Sequence, residues 1–350
     1  MTHLFNCMAT AIGSMPNTDP DEAVQTALRY LTDAPAWPQL PQRDFRERMD
    51  AQYCEAIPGV KLDAARKRVS FETSGDLTGE LENFFSHYLE NNYDFFGISE
   101  RHAAGFHAFL KALEGGAAAR ASYLKGQITG PLTAGTSMKD ERDIDIIHND
   151  HLFDALVKGL TMKALWQIEK FRKFGKPVII FMDEPSMESL GSAFSAVSSA
   201  LVAEKLNEIA DAIHEAGGIA GIHCCGNADW EMIFNARIDI VNFDAYEYME
   251  KVLLYPADIK RFLQRGGALA WGVVPTGSFT GVETCDRLIA RLETGVAFLE
   301  GKGIDRKTIL RQAIITPSCG MGSLNPQKSE AILKLLMDVA EKMKMEAEKS

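Results

Sequence analysis

No apolar run in the 350 residues approaches the roughly 20 needed to span a bilayer. Residues 1–14 have no basic stretch followed by an apolar one, so no secretory signal is expected. Basic charge is scarce: 37 Lys and Arg stand against 48 Asp and Glu, a formal charge of -11. Nucleic-acid binding needs clustered cations, so it is not expected as the main activity. Cysteine is also sparse. Of the six, Cys224 and Cys225 are adjacent, while Cys7, Cys54, Cys285 and Cys319 are scattered. That is no secreted disulfide framework, and a reducing, cytoplasmic location is expected. Internal repeats and low-complexity tracts are missing too, so one domain over residues 1–350 is expected.

What is present is a large apolar fraction, 46%, enough for a substantial core. Eight short β-type runs alternate with helical patterns: residues 9–14, 69–73, 121–129, 177–182, 218–223, 238–243, 268–274 and 313–316. Runs such as Val178-Ile179-Ile180-Phe181 are apolar throughout, as in strands covered on both faces. Leu201, Val202, Leu206, Ile209 and Ile213 make one helical stripe that stops at Gly217 and Gly218. Phe153 to Ile168, Ile289 to Leu299 and Ile332 to Met345 mark further helices. Eight βα repeats predict a (β/α)8 TIM barrel, with a doubly wound sheet as the alternative. Two stretches exceed a minimal barrel. Residues 33–44 hold Trp37, Pro35, Pro38 and Pro41 and read as a long ordered loop. Residues 130–150 form a long connection leaving a strand's C-terminal end, the face where barrel active sites lie.

The sharpest local signal is Ile222-His223-Cys224-Cys225-Gly226-Asn227 at a predicted strand end. Alternate residues of an extended segment face the same way, so His223 and Cys225 can address one ion while Cys224 turns away. Cys319, after the eighth run, ends on the same face of a barrel. One His and two Cys suit zinc and leave a position open for substrate. Buried free cysteines with a core histidine are the bland alternative, and a Cys224–Cys225 disulfide would be strained.

Met182-Asp183-Glu184-Pro185 ends the fourth run. A carboxylate there, Asp183 first, can pair with a substrate ammonium group; Glu184 can do the same or hold the loop, and both can simply be a solvated turn. Ile12-Gly13-Ser14 offers backbone N–H groups and a hydroxyl, either a carboxylate cradle or a plain turn. Glu72, near the end of the second run, is placed to face the site. Asp244 is a fourth metal ligand or a partner of His223, with Glu247 its rival. His148 and His151 read as exposed loop residues, and Trp37 with its loop either walls the pocket or packs.

Together these residues resemble the superfamily of cobalamin-independent methionine synthase, the methylcobamide:coenzyme M methyltransferases and uroporphyrinogen decarboxylase. Ile12-Gly13-Ser14, Gly130-Pro131-Leu132-Thr133 and Asp183-Glu184-Pro185 are similar to turns of the methionine synthase's catalytic barrel. His223-x-Cys225 and Cys319-Gly320 look like its zinc ligands. His223-Cys224-Cys225-Gly226-Asn227 resembles the coenzyme M branch more closely. The resemblance implies a single-barrel zinc methyltransferase acting on homocysteine, with Asp183 on its amino group. It implies a methylcobamide donor on a corrinoid carrier protein. Methylation of coenzyme M is the alternative. The decarboxylase branch lacks these zinc ligands, and a non-catalytic barrel is the reading from a different class. The methionine synthase has a Glu ligand after the next strand, for which Asp244 is the best counterpart.

Overall fold

The structure is a computed structural model that describes residues 3–190 and 197–349. In chain order it runs β1 (Met8–Ala9), α1 (Pro20–Tyr30), β2 (Val60–Asp63), β3 (Arg68–Phe71), α2 (Thr78–Leu89), α3 (Ala104–Glu114) and β4 (Leu124–Thr129). Next come α4 (Pro131–Ser137), α5 (Asp150–Arg172), β5 (Val178–Asp183), α6 (Ser199–Glu215), β6 (Ile219–Cys224), α7 (Trp230–Asn235) and β7 (Ile240–Phe243). The chain ends with α8 (Met249–Val252), α9 (Pro256–Gln264), β8 (Ala268–Val274), α10 (Cys285–Gly301), α11 (Arg306–Arg311), β9 (Ala313–Pro317) and α12 (Pro326–Lys349).

Seven strands form one parallel sheet in the order β1-β9-β8-β7-β6-β5-β4. From β4 to β9 neighbours in sequence are neighbours in space. A doubly wound sheet would reverse its order at a switch point, so that alternative is set aside. The predicted helices lie between the strands, except the last, which follows β9 as α12. Ser198 caps α6 by accepting from the Leu201 N–H, and Val202, Leu206, Ile209 and Ile213 form its buried stripe.

The first two predicted runs differ from expectation. Only Met8 and Ala9 of the first region join the regular ladder. Residues 69–73 are not a stave of the sheet: β3 pairs antiparallel with β2, Val60 opposite Phe71, in a separate hairpin. Alternation marks a strand but does not choose its partner. The place beside β4 is taken by the proline-rich stretch. The Lys125 N–H donates to the Pro35 carbonyl (3.0 Å) and the Trp37 N–H to the Lys125 carbonyl (3.4 Å). On its other side the Gln39 N–H donates to the Gly13 carbonyl (3.0 Å) and the Met15 N–H to the Gln39 carbonyl (2.8 Å). Residues 34–40 thus hydrogen-bond to both edges of the curled sheet. Pro35 and Pro38 have no N–H to donate, which leaves isolated bridges in place of a ladder.

Apolar side chains divide into two clusters. The larger lies between sheet and helices. The smaller joins Met8, Ala34, Ile179, Phe181, Ile219, Ile240, Ala268, Ala270 and Ile314, alternate residues from the inner face of the strands and of the proline-rich stretch. Among the described residues no helix is long and apolar enough to cross a membrane.

Candidate metal centre

Parallel pairing lines up the C-terminal ends of β4 to β9. Register places Thr129, Asp183, His223 and Asn242 on one rung across four strands. Cys225 follows β6 two residues after His223, on the same face, and Cys319 follows β9. The ligand atoms of His223, Cys225 and Cys319 lie within 4.8 Å of one another, the only such group among the described residues. Cys224 is buried away from it.

His223 is buried, and its Nδ1 is 2.5 Å from Asn242 Oδ1. Its Nε2 has no hydrogen-bond partner among the described residues. A buried polar atom left unpartnered is costly unless something else binds it. The Cys319 thiol lies beside the Cys225 sulfur. That contact holds the Cys225 thiol far below its usual range, against burial and with help from His223. The same contact pushes Cys319 up. Two neighbouring thiols beside an open imidazole nitrogen fit a divalent metal that takes N and S ligands.

A cavity of about 600 Å³ opens above the cluster. Asp183 projects into it, 7% exposed, with Oδ1 unpartnered. Burial pushes its carboxyl up to about 6, with Lys125 and His223 opposing the shift. Lys125 is fully buried, donates to the Ile12 carbonyl (2.7 Å), and stands 4.3 Å over the Phe181 ring. It thereby fixes the turn that carries Ser14.

Ile12 and Ser14 line the cavity. The Ser14 hydroxyl accepts from the Gly322 N–H (3.3 Å), and its carbonyl from the Met321 N–H (2.9 Å), which ties this turn to the Cys319 loop. A Cβ on Gly320 would fall 2.1 Å from Ser14 Oγ, so the approach needs glycine. Gly13, at φ +146, lies against the Gln127 amide. The remaining wall comes from the end of the proline-rich stretch and the turns beyond it: Gln39, Pro41, Arg48, Met49 and Asp50. Trp37 itself is packed inside, its Nε1 donating to Gln167 Oε1 (2.8 Å).

Several expected residues lie elsewhere. Glu184 is fully buried and does not line the cavity. Its oxygens accept from the Leu132 and Thr133 N–H groups (both 2.8 Å) and the Thr133 hydroxyl (2.6 Å), which holds the start of α4. Of the two readings for Glu184, the loop-holding one stands. Glu72 sits beyond the hairpin, paired with Lys61 at 3.0 Å. Asp244 is outside the cluster, because its Oδ1 closes a turn by accepting from the Tyr246 and Glu247 N–H groups (both 2.8 Å). Burial pushes its carboxyl up to about 6, against those two bonds. Glu247 is exposed and accepts from the Ser278 hydroxyl (2.9 Å). His148 and His151 are exposed. Sequence reasoning missed Asn242, which touches His223 where Asp244 was expected, and Lys125. For Asn242 the available signal was a polar side chain inside an otherwise apolar strand.

No protein-family model matches this chain, and no curated protein matches it. Its fold is similar to that of a B12-independent methionine synthase from Shewanella sp. W3-18-1, solved in complex with selenomethionine. The match covers 99% of this chain and 100% of that one, at a TM-score of 0.61 and 15% identity.

Proposed function

We propose that this chain is a zinc-dependent methyltransferase that methylates the sulfur of a small amino-acid thiol of the homocysteine class. The observation that carries the reading is the unpartnered His223 Nε2 grouped with two thiols at the floor of a cavity. The likeness to a methionine synthase bound to selenomethionine supports the same substrate class. We also read residues 34–40 as the eighth stave of a closed (β/α)8 barrel, on the strength of their bonds to both sheet edges and Ala34 in the inner cluster.

His223, Cys225 and Cys319 would hold the metal, and a three-ligand set leaves one position for substrate. Bound there, zinc would keep the substrate sulfur as a nucleophilic thiolate, where a free thiol, with a pKa of about 8.5, is mostly protonated at neutral pH. The chain's own groups orient the substrate. Asp183 offers its unpartnered oxygen to the ammonium group, a charge-assisted bond in a buried site. The Ser14 turn takes the carboxylate, and Pro41 and Met49 help exclude water. The sulfur lone pair forms the new S–C bond as the donor–methyl bond breaks, and the donor leaves with that bond's electrons.

The carboxylates of Glu47, Asp50 and Asp183 line the cavity, and its one cation, Arg48, is paired with Asp50. That lining suits an ammonium group better than the sulfonate of coenzyme M or the several carboxylates of a porphyrin. The methyl donor in this reading is a methylcobamide on a corrinoid carrier protein. All six cysteines are free, in keeping with a reducing compartment such as the cytoplasm.

Metal analysis of the parent beside Cys225→Ser and Cys319→Ser tests the site. About one zinc per chain in the parent is expected, lost in both variants, with proton release when homocysteine is added. Methionine should form from methylcobalamin. Proton release by 2-mercaptoethanesulfonate alone would move the substrate to coenzyme M. Failure of the parent to take up zinc would end the proposal.

A further inference from the structure

We propose that Asn242 is the positioning residue that fixes His223 in the one tautomer a metal can use; the inference rests on the metal reading above. Asn242 is fully buried in β7 and makes three hydrogen bonds. Its Nδ2 donates to the Ala270 carbonyl (2.9 Å) and to Thr316 Oγ1 (2.8 Å), and its Oδ1 lies 2.5 Å from His223 Nδ1.

The orientation of the amide is set by its surroundings. A backbone carbonyl can only accept, so the side of Asn242 that meets Ala270 is the NH2 group, and the oxygen faces His223. That oxygen can only accept as well. His223 Nδ1 therefore carries the proton, and in the neutral ring Nε2 carries the lone pair. Nε2 is the atom left without a partner beside Cys225 and Cys319. The opposite tautomer would turn an N–H toward the metal position and set two acceptors, Nδ1 and Oδ1, against each other at 2.5 Å.

The same amide braces both halves of the ligand set. Asn242 shares a rung with His223 and, through Thr316, holds β9 three residues before Cys319. Strands from opposite ends of the motif pattern are thus tied to one side chain before any metal arrives. Partners of metal-binding histidines commonly contribute about 10–100-fold in metal affinity.

The first measurement is 15N NMR of the His223 ring in metal-free parent protein at alkaline pH, where the imidazole is neutral. A single Nδ1–H tautomer is expected, and an Nε2–H tautomer overturns the proposal whether or not the protein binds zinc. The second is zinc affinity by competition with a chromophoric chelator. Asn242→Leu should weaken it about 10–100-fold and release the tautomer. Asn242→Asp keeps an acceptor toward Nδ1 but loses the bond to the Ala270 carbonyl, so it should keep the Nδ1–H tautomer and lose less affinity than Asn242→Leu. Equal loss in both variants, with the Nδ1–H tautomer intact in each, would make Asn242 a packing residue only. If Asn242→Leu does not fold, the parent's tautomer still decides. A parent that binds no zinc overturns the proposed function, a result distinct from the wrong tautomer.

Discussion

Residues 178–190 and 197–319 face residues 10–53 across one cavity, and the two regions are built by opposite means. The first stretch is regular: five apolar strands paired in parallel register, with His223, Asn242 and Asp183 on one rung. The second is irregular: two residues of ladder lead into it, then single bridges between prolines, with buried polar side chains in the gaps. Gln39 donates to both Gln52 and Tyr53 there, and Tyr53 donates to the Gln127 carbonyl (2.9 Å). Regular pairing sets ligand atoms to within ångströms. Irregular chain shapes the wall around whatever lies above them. On the proposed function, the first stretch would retain the metal and the second would shape the cavity.

The largest expected effect separates these roles. Trp37→Ala should cost about 3–5 kcal/mol of stability, the range for a buried aromatic truncated in a core. Denaturant unfolding would measure it. Metal content of the folded variant should not change. A variant that keeps its stability but loses its metal would break the division.

Lys163 gives the next effect. It is fully buried beneath the irregular stretch, and its Nζ donates to the Glu55 (2.7 Å) and Phe96 (3.2 Å) carbonyls. Burial lowers its ammonium to about 8, with Glu55 opposing. Between about pH 8 and the unfolded value of 10.5 the unfolded chain holds more protons at this site, so its contribution to stability rises with pH. The full span is about 3 kcal/mol. Lys163→Met should remove that rise when urea unfolding is compared at about pH 8 and about pH 10. An unchanged slope would show that the ammonium is charged in both states throughout.

The smallest effect lies inside the cavity. Asp183→Asn should raise KM for homocysteine roughly 10–100-fold, the worth of one hydrogen bond to a charged group. Zinc content should stay as in the parent, and the KM of a thiol of the same length without the amino group should barely move. Equal changes for both thiols would detach Asp183 from the ammonium.

The regular stretch was the legible one. β5, β6, β8 and β9 lie within a residue of where their apolar runs predict, because strands buried on both faces leave an unbroken signal. Period-two alternation was enough to pair His223 with Cys225. The irregular stretch was legible only as ordered chain. Nothing local told residues 35–39 that their neighbours would be Gly13 and Lys125, because those contacts join segments far apart in the chain. The same limit hid Asn242. Its meaning comes from His223, 19 residues earlier, and Thr316, 74 residues later. Asp244 was a reasonable candidate by spacing, but a carboxylate following a strand closes turns as readily as it binds ions.

The shared rung of Asp183, His223 and Asn242 bears on how this protein can vary. Its chemical address is written crosswise, one letter per strand. Helices and loops between the letters can lengthen, shorten and change composition without moving them. A single residue gained inside β6 would instead turn Cys224 inward and His223 out.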